Sequence, residues 1–213
     1  IDDYRNVYAP ENNIKLNILG FPQKYEKELI QFYNTIDKET LDNLKPVDVL
    51  NLLKEGNIRH VQGKHIDKYY QMQVESTSKG QYPMAVILSC IDSRTTVEHI
   101  FDQGLGDVFS CRIAGNVVND DIIGSMEFAC NVVGSKIVMV LGHSNCGAVK
   151  GAYSNVEMGN LTQLLHKLKH SIDTVKSKLL NTNLSDTEIV EEIAIQNVTD
   201  SMNYILERSP ILM

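Results

Sequence analysis

Two short segments carry most of the reactive side chains in this sequence. Cys90-Ile-Asp92-Ser-Arg94 is followed, 53 residues after its cysteine, by His143-Ser-Asn-Cys146-Gly147. Together they offer two thiols and one imidazole, a set that suits a zinc ion with a fourth position left open, which is the ligand count of a catalytic site. The H-x-x-C half has its own physical logic. His143 ends a predicted strand, and the chain then turns into a helix whose first turn bears Cys146, where the positive partial charge of a helix amino end favours a thiolate. Gly147 leaves a small backbone that a ligand can approach and an N–H that can point at an anion. Asp92 and Arg94, two residues apart, can form a charge-assisted pair beside the thiols. Taken singly, each half is a weak signal, and any one of these residues reads as well as packing at a strand end.

Convergence depends on the elements between the two segments. The runs 84–89, 108–113 and 137–141 are short, continuous and rich in β-formers, as buried parallel strands are. Helical patterns at 95–102 and 120–133 lie between them, the second stopped by Gly134. This alternation reads as an α/β fold with a mostly parallel sheet flanked by helices. Cys90 and His143 then sit at the carboxyl ends of the first and third strands, where open α/β sheets build ligand sites. Upstream, Pro46 opens a helix expected to run to residue 61, which Gly56 weakens. Downstream, apolar residues from Leu161 to Leu179 recur at helical spacing, and Ser185-Asp-Thr-Glu188 is a capping box ahead of a last long helix. Residues 1–40 read as an appendage or linker with a strand-like run at 14–19 and an amphipathic stretch at 25–36, leaving 41–213 as the zinc domain.

Composition narrows the function classes. With 43% apolar residues in 213 and a net charge of −7, the chain has a core to bury and no basic surface for wrapping nucleic acid. The longest apolar runs are too short to span a bilayer. Four cysteines are too few for a disulfide scaffold and suit a reducing, cytoplasmic setting. Cys111 and Cys130 lie inside apolar runs and read as small buried hydrophobes. His166 and His170 are four apart but flanked by Lys167 and Lys169, the pattern of a solvated face, and His60, His65 and His99 show no ligand spacing.

C-x-D-x-R after one strand and H-x-x-C-G after another closely resemble the β-class carbonic anhydrases. The likeness extends through Gly104-Leu-Gly106-Asp107, Arg112-Ile-Ala-Gly-Asn116, Gly124-Ser-Met-Glu127 and Gly142-His-Ser-Asn-Cys-Gly-Ala148. The resemblance implies zinc-dependent, reversible hydration of carbon dioxide to bicarbonate and a proton, by a homodimer or a multiple of it. It implies Cys90, His143 and Cys146 as zinc ligands and Asp92 with Arg94 as a catalytic dyad that orients a zinc-bound hydroxide. It further implies that Gln81 contacts substrate from the dimer partner and that the Gly147 amide helps to hold bicarbonate. Family members usually carry Ser where Ile91 stands, a position that strand alternation points away from Cys90 and Asp92. A bicarbonate-regulated subset builds a second site around a tryptophan; this chain has none, and Arg112, at another position of that site, reads as structural. The family's sheet normally continues past residue 213, so its last strands are expected to be missing here. Two other readings share these residues. One is a zinc-binding, weakly active or regulatory domain cut from a bicarbonate or sulfate transporter-like fusion, on the cytoplasmic side of a membrane protein. The other is a related hydrolase of carbon disulfide or carbonyl sulfide.

Overall fold

The computed structural model describes residues 35–179 and 183–213. The strand expected at 14–19, and all but the last two residues of the amphipathic stretch at 25–36, lie outside them. The described chain begins with helix α1 (Lys38–Asn43), α2 (Pro46–Val61) and α3 (Tyr70–Thr77). Strand β1 (Ala85–Ser89), short helix α4 (Val97–Ile100), β2 (Val108–Arg112), α5 (Asp120–Glu127) and β3 (Ile137–Leu141) follow. Four helices complete it: α6 (Gly147–Tyr153), α7 (Gly159–His166), α8 (Lys169–Lys178) and α9 (Asp186–Arg208). No described helix is long and apolar enough to cross a membrane.

The three strands form one parallel sheet in the order β2-β1-β3. β1 is central and its residues Ala85 to Leu88 are wholly buried, which is why this stretch is continuously apolar rather than alternating. Its side chains nonetheless divide by parity. Ala85 and Ile87 join Leu41, Val49 and Leu53 of α1 and α2 in one core, while Val86 and Leu88 join Ile123, Met126 and Ile205 in the other. The sheet is therefore covered on both faces, and the site lies at its end. Ser89 pairs with Leu141, so β1 and β3 finish level with one another.

Several expected elements take a different form. The helix expected at 95–102 is reduced to Val97–Ile100, because Thr95 is committed to the preceding loop, its N–H and hydroxyl both donating to the Asp92 carbonyl. At the other end Asp102 turns the chain with a left-handed φ of 50°. The helix at 120–133 forms as α5 and relaxes into a π-helical turn from Phe128 to Val133, ending at Gly134 with φ 97° as a left-handed stop. The apolar run from 161 to 179 breaks at Lys167 and Leu168 into α7 and α8, with Leu168 turned fully into the core. His166 and His170 consequently lie on different helices, both exposed. The capping box of α9 forms as expected: Glu188 accepts from the Ser185 N–H and the Glu188 N–H donates to the Ser185 hydroxyl. Gly56 has a packing reason, since a Cβ there would collide with the Phe101 carbonyl where α2 crosses the turn after α4.

That crossing is tied by one buried carboxylate. Asp102 accepts from Arg59 Nε of α2, from the Ile66 N–H and from Lys68 Nζ at 2.9 Å. Burial alone would raise the Asp102 pKa, but the hydrogen bonds from Arg59 and Lys68 outweigh it and hold the group below the ordinary carboxylate range. A depressed folded pKa stabilises the fold above the unfolded value of about 3.9 and ceases to do so as pH falls through the folded value. Asp102→Asn deprives Arg59 and Lys68 of their shared counter-ion and should cost about 3 kcal/mol in denaturant unfolding at neutral pH. The gap between parent and variant should narrow as pH falls below about 4.

Candidate metal centre

Cys90 follows β1 directly and Cys146 caps α6, five residues beyond the end of β3. Because β1 and β3 are parallel neighbours ending level, the two loops meet. The Cys90 and Cys146 sulfurs are 4.0 Å apart, both residues are buried, and His143 joins them with its ligand atom within 4.8 Å of each. His143 Nδ1 lies 2.8 Å from the Ser144 carbonyl, so Nδ1 carries the proton and Nε2 presents a lone pair. That Nε2 is buried and has no hydrogen-bond partner. An orphaned imidazole nitrogen beside two thiols is the donor set a zinc-class cation satisfies.

The electrostatics agree. Burial pushes the Cys146 thiol up, with the Cys90 thiol adding to it, while the Val149 and Ala148 N–H groups at the start of α6 pull the other way. The Gly115 N–H likewise points at Cys90 Sγ, at 3.3 Å. Backbone donors thus face both sulfurs, and a cation would be the remaining source of positive charge.

Asp92 and Arg94 sit beside this cluster as an intact pair. Arg94 Nε donates to Asp92 Oδ1 at 2.9 Å and Nη2 to Oδ2 at 2.8 Å, and the Arg94 N–H adds a third bond. These bonds hold the Asp92 carboxyl far below the usual range. The Asp92 side chain is 18% exposed and that of Arg94 68%, so the pair borders the buried sulfurs on the solvent side. Ile91, the departure from the family pattern, is exposed.

Residues without reactive spacing hold the two loops. Arg112, at the end of β2, donates to the Cys90 carbonyl at 3.1 Å and to the Asp92 carbonyl at 2.6 Å, which makes it the strut of the C-x-D-x-R loop. α9 braces the other side. Glu191 accepts from the Asn145 N–H at 2.7 Å, supporting a turn in which Asn145 takes φ 53°. Asn197 donates to the Gly115 carbonyl at 2.9 Å, immobilising the segment whose N–H faces Cys90. Val198 packs so close to Gly142 that a Cβ there would stand 2.7 Å from it. Glu191 and Asn197 were invisible as site residues in the sequence, being helix positions 46 and 82 residues from their partners. Cys111 and Cys130 are half-buried in the core beneath β2 and α5, where burial raises their pKa values. Gln81 is exposed and precedes the amino end of β1, whereas Cys90 follows its carboxyl end. Gly147 is also exposed, with open space where a Cβ would stand.

Fold and site together define a parallel α/β protein with a Cys-His-Cys cluster that could hold a metal ion at the carboxyl ends of its strands. The carbonic anhydrase family model matches residues 85–213. The carbonic anhydrase of Mycolicibacterium smegmatis is 33% identical over 170 residues, 79% of this chain and 82% of the relative. Carbonic anhydrase 2 of Mycobacterium tuberculosis is 34% identical over 172 residues, 79% and 81% of the two chains. Among solved structures, the β-carbonic anhydrase CafA of Aspergillus fumigatus superposes with a TM-score of 0.60 at 28% identity, covering 75% of this chain and 74% of that one. A tetrameric β-carbonic anhydrase of Sordaria macrospora does so with 0.58 at 26% identity, covering 76% and 80%. This chain belongs to the carbonic anhydrase family, in its β class, and is an enzyme of carbon dioxide hydration.

Proposed function

We propose that this carbonic anhydrase works through zinc held by Cys90, His143 and Cys146, with Asp92 and Arg94 as the groups that direct the reacting oxygen. The observation that carries this reading is the buried, unpartnered His143 Nε2 beside two thiols 4.0 Å apart. When bound, zinc supplies the Lewis acidity that makes hydroxide available near neutral pH. The chain's own groups do the rest. Asp92, kept ionised by Arg94, is an acceptor for the proton on the attacking oxygen and turns a lone pair toward the carbon of CO2. Arg94 supplies two parallel bonds that fix the Asp92 plane and keep the carboxylate from closing on the metal position. The new C–O bond gives bicarbonate, and the proton of water leaves to solvent. The Gly147 amide, on a residue whose Cβ position faces open space, is read as the donor to the bicarbonate oxygen.

Gln81 is read as serving the site of a second chain. The five residues of β1 alone separate it from its own Cys90 by about 17 Å. The enzyme is therefore read as a homodimer, or a multiple of one, in which each Gln81 serves the partner's CO2 site. The remaining boundary is that of 1–40 as an appendage to a zinc domain at 41–213. All four thiols are free, which suits a reducing compartment such as the cytoplasm.

Asp92→Asn should keep stoichiometric zinc and lose activity by about 100-fold or more in stopped-flow CO2 hydration. A variant hydrating CO2 at the parent rate removes Asp92 from the mechanism. Cys146→Ser should lose its zinc by elemental analysis together with its activity, and full zinc retention would exclude it as a ligand. The Gln81 assignment is tested by co-expressing Gln81→Ala and Asp92→Asn chains. Mixed dimers recover one competent site if Gln81 acts across the interface, and recover nothing beyond the Gln81→Ala level if it acts within its own chain.

A further inference from the structure

Three of the six histidines converge at a place that shares no residue with the catalytic cluster. His60 lies in the last turn of α2, His65 in the segment after it, and His99 in α4. Their ring centroids are 5.1 Å apart for His60 and His65, 5.0 Å for His60 and His99, and 4.3 Å for His65 and His99. One ring nitrogen from each lies within 4.8 Å of the others. We propose that His60, His65 and His99 form a second metal site, for a divalent cation of the zinc, nickel or copper class.

The setting of His65 supports it, and the His99 ring, which stacks on His65 at an interplanar angle of 12°, turns at the surface to face a shared ion. The Asp102 carboxylate stands 3.5 Å from His65 Nδ1, so the proton of a neutral His65 belongs on Nδ1 and its Nε2 lone pair faces inward. A carboxylate behind a histidine in this way orients it as a ligand and strengthens it as a donor. The inward His65 Nε2 is 3.1 Å from His60 Nδ1. Two nitrogens bound to one tetrahedral zinc stand about 3.3 Å apart, so this edge of the site is already near the required span. The nearby cations Arg59 and Lys68 are both engaged by Asp102, which tempers the positive charge an ion would meet. All three donors are imidazoles, which selects borderline transition metals over calcium or magnesium. His99 is exposed, so an ion has a path in and positions remain for water.

Such an ion would join α2, the 62–68 segment and α4 at the point where Asp102 already ties them. The test uses protein with its catalytic zinc in place, equilibrated against chelator-buffered zinc in the micromolar range and analysed for metal per chain. The parent should bind two zinc ions, His99→Gln and His60→Gln one, and a His166→Gln, His170→Gln double variant still two. Cobalt added to the zinc-loaded parent should give visible d–d bands without the near-ultraviolet thiolate charge-transfer band of a cysteine site. His99 is at the surface, so its substitution leaves the fold intact, and an unchanged melting temperature in chelator checks this. A parent that stays at one zinc up to submillimolar free metal overturns the proposal, as does a second zinc that survives both His60→Gln and His99→Gln.

Discussion

The structure depends on placing two thiols 4.0 Å apart in a buried pocket with an imidazole whose Nε2 has no partner. Without a cation this arrangement is costly: burial opposes ionisation of the Cys146 thiol, and the nitrogen forfeits a hydrogen bond. With one, each unfavourable feature becomes a ligand. The fold supplies the geometry by ending β1 and β3 level as parallel neighbours, and supplies backbone N–H groups of Gly115, Ala148 and Val149 toward the sulfurs. These donors are fixed in place before any metal arrives, so binding requires little reorganisation.

The loops that carry Cys90, His143 and Cys146 are held from two directions by residues outside that cluster. Arg112 spans from β2 to the Cys90 and Asp92 carbonyls, and α9 reaches back through Glu191, Asn197 and Val198 to Asn145, Gly115 and Gly142. A ligand set built on strand ends is only as exact as the groups behind it. The length of α9 follows from this task, since one helix of 23 residues touches the support of both cysteines. Asp92 and Arg94 occupy the boundary between that rigid interior and solvent, where a carboxylate paired with a guanidinium can stay ionised.

The Asp102 network has a similar logic on the other side of the C-x-D-x-R loop. The short α4 that follows this loop is anchored to α2 by Asp102, Arg59 and Lys68, and His65, which meets His60 and His99, stands 3.5 Å from the same carboxylate. A position with a left-handed backbone, a buried charge and an imidazole cluster combines costs that packing alone does not explain. A cation bound by the imidazoles would turn part of that cost into cross-linking between α2 and α4.

Much of this was readable in order along the chain. The three strands, α2 from Pro46, the Gly134 stop and the capping box at Ser185 follow from apolar period, proline and glycine chemistry and cap residues, which act over a few neighbours. The Cys90, His143 and Cys146 set was legible because its members lie just past strand ends, where parallel topology must bring them together. Local pattern failed where distant contacts compete with it: Thr95 is spent on the Asp92 carbonyl, and Leu168 breaks the run at 161–179 by turning into the core. The supporting roles of Glu191 and Asn197 and the meeting of His60, His65 and His99 carry no spacing signal at all. Only the packing of α2 on α4 and of α9 on the strand ends decides them, because those contacts are set by how whole elements dock and not by which residues stand side by side in the chain.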